Sequence, residues 1–275
     1  MPAMTAPVLV AAFDGWVDAG AAASTAAGRL VEGADVVATF ADDRLYDYRA
    51  RRPTLEIIDG RLTALRWPEL SLRHRRIGGR DLLVLAGPEP DYCWRKLTAE
   101  VADLARQLGI AEWLSLGAIP AAVPHTRPVT VMGTESRPGL LRGGVSPGPA
   151  GLLTVPAAAL SVLDLAVARA GIPTVGYFAQ VPHYINGPYP AATVELLRLA
   201  GHHVDQDLVP AGLREEAGEL RLRLDAAAAA NKTTRLYVER LEGKADEARL
   251  PAGDDLIADI ERFLRERGGD RPGPS

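Results

Sequence analysis

The sequence predicts an α/β fold on a mostly parallel sheet, and three observations carry that expectation. A β-rich run, Val8 to Phe13, is followed by an Ala-rich segment and then a second β-rich run, Asp35 to Phe40. That spacing is the βαβ unit of a parallel sheet with a right-handed crossover. The rhythm recurs at Asp81 to Ala86, continues through Leu97, Val101, Leu104 and Leu108 at helical spacing, and reaches Trp113 to Leu116. Finally, 275 residues with 47% hydrophobic and 24% charged side chains suffice for a sizeable core, which excludes a disordered or fibrous chain.

Taken in order, the first strand is short, has no Lys or Arg before it and meets Asp14 at once, so it does not read as a secretory signal. Asp14 to Asp18 form a loop, and Asp18 stands where an N-cap belongs for a helix over Ala19 to about Val31. Asp59-Gly60 between Thr54–Ile58 and Arg61–Trp67 predicts a β-hairpin outside the main sheet, because a two-residue type I′ turn needs positive φ at both positions. Pro120 to Gly151 is rich in Pro and Gly, with a strand expected at Val129 to Met132, and its length suggests an ordered or functional loop. A helix from about Pro156 to Arg169 and a strand at Thr174 to Phe178 close the α/β part.

Beyond about residue 204 the composition changes: 26 of the 63 residues from Asp205 to Arg267 are charged, against 38 of the first 204. This region reads as a helical extension over residues 205–267, with a disordered Gly- and Pro-rich tail at 268–275. Its apolar stripes, Leu213, Ala217, Leu220 and Leu224 and then Ile257, Ile260 and Leu264, are narrow, so each helix needs a covering surface. Either the α/β domain or another subunit supplies it.

Two familiar motifs fail on mechanism. Gly144-Val145-Ser146-Pro147-Gly148 matches a hydrolase nucleophile elbow, with Asp164 and His183 following in the right order, but Pro147 lacks the backbone N–H that would stabilise an oxyanion. Gly243-Lys244 is followed by Ala245 and lacks the upstream glycine of a phosphate-binding loop. The single cysteine, Cys93, excludes an intramolecular disulfide and zinc sites with several thiolates, and no two histidines take helical metal-ligand spacing. No metal and no cofactor are expected.

More specific are the residues that follow strands, where an open α/β sheet forms its ligand crevice. Asp14, Trp16 and Asp18 follow the first strand, His125 and Arg127 lie in Pro124-His125-Thr126-Arg127-Pro128, and His183 and Tyr184 follow the strand at Thr174. These seven residues form a candidate pocket, the competing role being turns that hydrogen-bond backbone and fix loops. Between Arg44 and Arg80 there are ten arginines and four acids, read as a solvated or interface-facing hairpin because there are no lysines and few interleaved aromatics. With a formal net charge of −4, no global field draws the chain onto nucleic acid or an anionic membrane. The longest uncharged stretch, Val145 to Leu163, holds three prolines and does not read as a membrane span. A soluble, cytoplasmic protein is expected.

Together, Phe13-Asp14-Gly15-Trp16-Val17-Asp18-Ala19-Gly20, Tyr46-Asp47-Tyr48 with Arg52-Pro53-Thr54, Gly87-Pro88-Glu89-Pro90-Asp91-Tyr92-Cys93-Trp94-Arg95 and Leu116-Gly117-Ala118 before Pro124 resemble the proteasome assembly chaperone 2 family in its actinobacterial form. The resemblance continues through Pro182-His183-Tyr184 and Pro190-Ala191-Ala192 and covers roughly residues 8 to 200. It implies a three-layer α/β domain similar to nucleoside phosphorylases, a helical C-terminal addition, and homo-oligomers, often trimers. It also implies a non-enzymatic assembly role with a proteasome-related or other protein partner. Chaperones of this kind often end in a hydrophobic-Tyr-any tripeptide; this chain ends Gly273-Pro274-Ser275, so docking through such a tail is not expected. The alternative is an enzyme on the phosphorylase-like scaffold that takes a nucleoside or other small anionic metabolite, Arg127 holding the anion and a histidine moving protons.

Overall fold

A computed structural model describes residues 4–247. Its seven-stranded sheet has the order β2-β5-β6-β1-β7-β9-β8, with β1 Val8–Asp14, β2 Asp35–Phe40, β5 Leu70–Ile77, β6 Arg80–Pro88, β7 Glu112–Ala121, β8 Val131–Glu135 and β9 Thr174–Pro182. The strands β2, β6, β1, β7 and β9 run in one direction, and β5 and β8 run against them. β2 thus runs parallel to β1, as the βαβ spacing predicts, although β6 and β5 stand between them.

Alternation along β1 explains the layers, because successive side chains of a strand point to opposite faces. Val8, Val10 and Ala12 pack against helices α1 (Ala22–Leu30) and α4 (Pro190–Val204). Leu9, Ala11 and Phe13 pack against α2 (Trp94–Gln107) and α3 (Ala159–Arg169) on the other side. The result is the expected α/β/α sandwich, with β1 apolar throughout because both of its faces are covered. Under α3, Trp113 Nε1 donates to Asp164 Oδ1 at 2.8 Å and the Ser115 hydroxyl donates to the same carboxylate. Burial pushes the Asp164 carboxyl up to about 7, so this partner of the rejected Ser-Asp-His order is fully used inside the fold.

The hairpin of β3 (Thr54–Ile58) and β4 (Arg61–Arg66) forms a separate two-stranded sheet. Its turn residues Asp59 and Gly60 have φ of 50° and 75°, as a type I′ turn demands. Other boundaries differ from the sequence reading. The first helix begins at Ala22, after a 3₁₀ turn over Ala19–Ala21 in which Gly20 and Ala21 take positive φ. The strand β8 lies two to three residues later than expected, and α3 starts at Ala159 rather than Pro156.

Beyond the sheet, α5 (Ala211–Ala230) lies on α4 and α6 (Lys232–Glu247) packs on α5. Leu213 is buried in the same core as Val8 and Leu196, and Leu220 and Leu224 pack against it. The chain's own α/β body therefore covers Leu213, while Leu220 and Leu224 pack against it partly buried. The second stripe, Ile257, Ile260 and Leu264, and the tail at 268–275 lie outside the described residues. Among those described, no helix is long and apolar enough to cross a membrane. Because Leu213 seats in the main core, Leu213→Ala is expected to lower unfolding stability by about 2–4 kcal/mol in a chemical denaturation series. A change under about 0.5 kcal/mol, the range of surface substitutions, would show that α5 rests on the body without sharing its core.

Candidate functional site

The site forms where β7 and β9 end. Their register pairs Ala121 with Pro182, which sets the loop that follows β7 beside His183 and Tyr184. The His183 backbone N–H donates to Ala121 O at 3.0 Å, and ring atom Nδ1 lies 3.0 Å from the same oxygen. With Nδ1–H donating there, Nε2 is left to accept from the Tyr237 hydroxyl at 3.1 Å. The Tyr184 hydroxyl takes the His125 backbone N–H at 2.8 Å and meets His125 Nδ1 at 2.7 Å. That pairing leaves the Nε2 proton of the buried His125 ring facing Asp225 Oδ1, 3.2 Å away. Burial holds the His125 imidazole below its ordinary range, partly offset by the Asp225 and Glu242 charges, while Arg221 adds to the depression.

The C-terminal helices supply several partners to this cluster. Arg221 of α5 donates to the His125 carbonyl at 2.8 Å and pairs with Asp225 at 2.9 Å. Arg127 holds Asp246 of α6 with two hydrogen bonds, at 2.8 and 2.7 Å, and Glu242 at 3.2 Å. The Thr126 hydroxyl donates to Glu242 as well. A fork-to-fork guanidinium–carboxylate pair fixes orientation as well as charge, so Arg127 acts as the pivot of a polar clamp.

The remaining candidate residues lie elsewhere. The Asp18 carboxylate accepts from Ala23 N at 2.8 Å and Ser24 N at 3.1 Å, capping α1 across the 3₁₀ turn; burial raises its pKa against those two bonds. Asp14 ends β1 exposed, with its carbonyl taking the Glu89 N–H. The Trp16 backbone N–H donates to Glu89 Oε2 at 2.7 Å, and its ring borders a separate hollow beside Pro90 and Pro156. The structure thus gathers His125, Arg127, His183 and Tyr184 and sets Asp14, Trp16 and Asp18 apart from them. Sequence reasoning passed over Glu89, a buried carboxylate that also accepts the Ala159 N–H at 2.7 Å and so ties the loop after β1 to the start of α3. An acid between two prolines directly after a strand was its signal. It also passed over Asp225, Glu242 and Asp246, which looked like an ordinary solvated helix face.

A cavity of 590 Å³ opens beside the clamp, lined by Arg127, Arg198, Lys244, Glu195 and Gln180 and by Ser146 of the failed nucleophile motif. Arg198 is bound to Glu195 at 2.7 Å, leaving Lys244 the one lining cation, among the described residues, with no carboxylate against it. No three His, Cys, Asp or Glu residues gather into a metal-holding group among the described residues.

An α/β/α sheet whose C-terminal helices clamp one end of the crevice defines a scaffold class, and sequence comparison places it. The PAC2 family model matches residues 12–228, and the chain belongs to that family. Three solved structures share the fold at close range. A protein of unknown function from Corynebacterium glutamicum is 32% identical, with a TM-score of 0.81 over 88% of this chain and 91% of that one. The Mycobacterium tuberculosis proteasome-assembly chaperone homologue is 34% identical, with a TM-score of 0.77 over 84% and 99%. A PAC2 family protein from Streptomyces avermitilis is 34% identical, with a TM-score of 0.74 over 84% and 99%. No curated protein matches the chain.

Two outcomes follow from the clamp. Arg127→Gln is expected to raise amide hydrogen exchange in α6 at least about tenfold while leaving β1 and β7 protected, since it frees two carboxylates without touching the core. The acid response has a definite sign. With the folded His125 pKa depressed, the unfolded chain binds more protons as pH falls below about 6.5, so this contribution to stability is intact above that value and lost below it. His125→Gln is expected to flatten the drop in melting temperature between about pH 7 and 5.5, and an unchanged drop would assign it to other groups.

Proposed function

We propose that this protein is a non-enzymatic assembly or interaction protein, chaperone-like in the manner of its family, that works in the cytoplasm as a homo-oligomer, a trimer. The observation that carries this reading is the state of the crevice. The arginine and the histidines that would have to touch a substrate are already engaged by Asp225, Glu242, Asp246 and Tyr237 of the same chain. A catalytic histidine needs a free nitrogen aimed at the reacting atom, whereas both ring nitrogens of His183 are bound or faced by protein. The partner class is suggested by the 34% identical relative described as a proteasome-assembly chaperone homologue. A proteasome subunit is accordingly the first partner to test, ahead of other proteins.

The 590 Å³ cavity with Lys244 at its wall favours a second reading, an enzyme or binder for a nucleoside or other small anionic metabolite. One pair of measurements separates the two. Native mass spectrometry of the full chain mixed with purified proteasome α-subunits is expected to give a joint complex. Calorimetry with nucleosides and inorganic phosphate is expected to give no heat above dilution. Binding of a nucleoside with micromolar affinity, together with no complex, would move the assignment to the enzyme. Light scattering is expected to give a mass three times 29.3 kDa.

A further inference from the structure

The α5–α6 clamp lies at the β7–β9 half of the carboxyl edge of the sheet; the other half is closed only by loops, the segment through Leu45 to Asp47 bonding to the end of β6 and the chain after it. There the β3–β4 ribbon leaves the body: Phe40 at the end of β2 pairs with Leu70 at the start of β5, and between them Leu45 and Tyr46 are buried in the core while the strands of the ribbon form their own exposed sheet. The ribbon is amphipathic. Leu55 is opposite Leu65 and Ile57 opposite Leu62, and the register shift after Glu56 keeps all four on one face. The other face carries Glu56 and Arg66, paired at 2.5 Å, and the exposed Ile58 at the turn end. Leu55, Ile57, Leu62, Leu65 and Trp67 are between 47% and 72% exposed. A lone two-stranded ribbon is marginal in water, so an apolar face this open calls for a cover.

The same edge carries a second apolar surface of a different shape. Trp16, Arg51, Asp91, Trp94 and Pro156 border a hollow of 330 Å³. Tyr92 and Val155 adjoin Asp91 and Pro156 in the chain, and Leu152 and Leu153 precede Pro156 by three to four residues, Leu152 being 95% exposed. One surface protrudes and one recedes, and both belong to the same molecule. At roughly 100 Å² for each of ten such side chains, their contact removes on the order of 1,000 Å² from water, the area at which a specific interface begins.

Resting on the homo-oligomeric reading above, we propose that the apolar face of the β3–β4 ribbon of one copy seats on the surface formed by Trp16, Leu152 and Val155 of a second copy, head to tail. The contact is heterologous, joining two different patches, so it propagates from copy to copy and ends only when a ring closes. The area match and the paired shapes favour a second copy over a foreign partner, because neither surface has to wait for another protein to be covered.

Sedimentation of three full-length samples tests this. The wild type is expected at a multiple of 29.3 kDa. The double variants Leu55→Lys/Leu62→Lys and Leu152→Lys/Val155→Lys are each expected at 29.3 kDa, with an unchanged far-UV circular dichroism spectrum because all four side chains are exposed in the single chain, and with melting lowered only by the lost association. Mixing the two variants is expected to restore one contact and no more, giving a dimer with one copy of each. A ribbon variant that keeps the wild-type mass overturns the proposal and leaves the oligomeric reading intact. A wild type at 29.3 kDa overturns both. Loss of assembly in the ribbon variant alone, with no rescue on mixing, overturns the head-to-tail contact in favour of ribbon against ribbon.

Discussion

The structure depends on the two-sided burial of β1. Its first six residues are buried, three towards α1 and α4 and three towards α2 and α3, and its neighbours β6 and β7 are paired to it in parallel. Such a strand has no face and no edge left to offer solvent, so ionisable groups inside the sandwich must be consumed internally. Asp164 with Trp113 and Ser115, and the buried His203 beside Tyr177 and Glu112, are examples. Polar side chains that can meet anything else are displaced to the strand ends. Both halves of the carboxyl edge follow from that displacement, one closed by polar contacts and one left apolar.

The closure of the first half is mainly electrostatic, and its charges come from two distant parts of the chain. Arg127 follows β7, and its carboxylate partners sit more than a hundred residues later on α6. Partly exposed ion pairs of this kind contribute little individually, but a bidentate arginine in a network of several fixes geometry. The apolar seat of Leu213 supplies the affinity of the helices for the body, and the clamp supplies their orientation.

Where the sequence spoke in short-range patterns it was readable. The βαβ rhythm, the Asp-Gly hairpin and the capping role of Asp18 each depend on a few adjacent residues, and the structure contains them. β5 was hidden because Arg73, His74, Arg75 and Arg76 separate Leu70 and Leu72, which are buried in the core, from Ile77, which packs against it. Those charges are used locally: His74 pairs with Asp81 at 2.7 Å, and Arg75 reaches the Leu30 and Glu32 carbonyls. α4 was hidden by its turn-like start at Pro190, which serves as a first-turn helix residue. For the site, strand-end reasoning located His125, Arg127, His183 and Tyr184, since it needs only the strand order. It had no means of finding Asp225, Glu242 and Asp246, whose role depends on how α5 and α6 fold back. Nor could it separate Trp16 from the histidines, because that separation depends on Glu89 drawing the loop after β1 towards α3.

The seat of Leu213 has a bearing on how the chain is made. A ribosome releases the sheet and α4 first, so the surface of α4 that α5 covers exists before Leu213, which fills it, has been synthesised. For the time taken to add and extrude the next stretch of chain, the nascent body carries an open apolar cleft on the face that Val8, Leu196 and Val204 share. Exposed apolar surface on a half-made protein is where aggregation starts. A chain truncated shortly before α5 is therefore frozen in that vulnerable stage, and the helices that look like a late ornament act as the stopper that ends it.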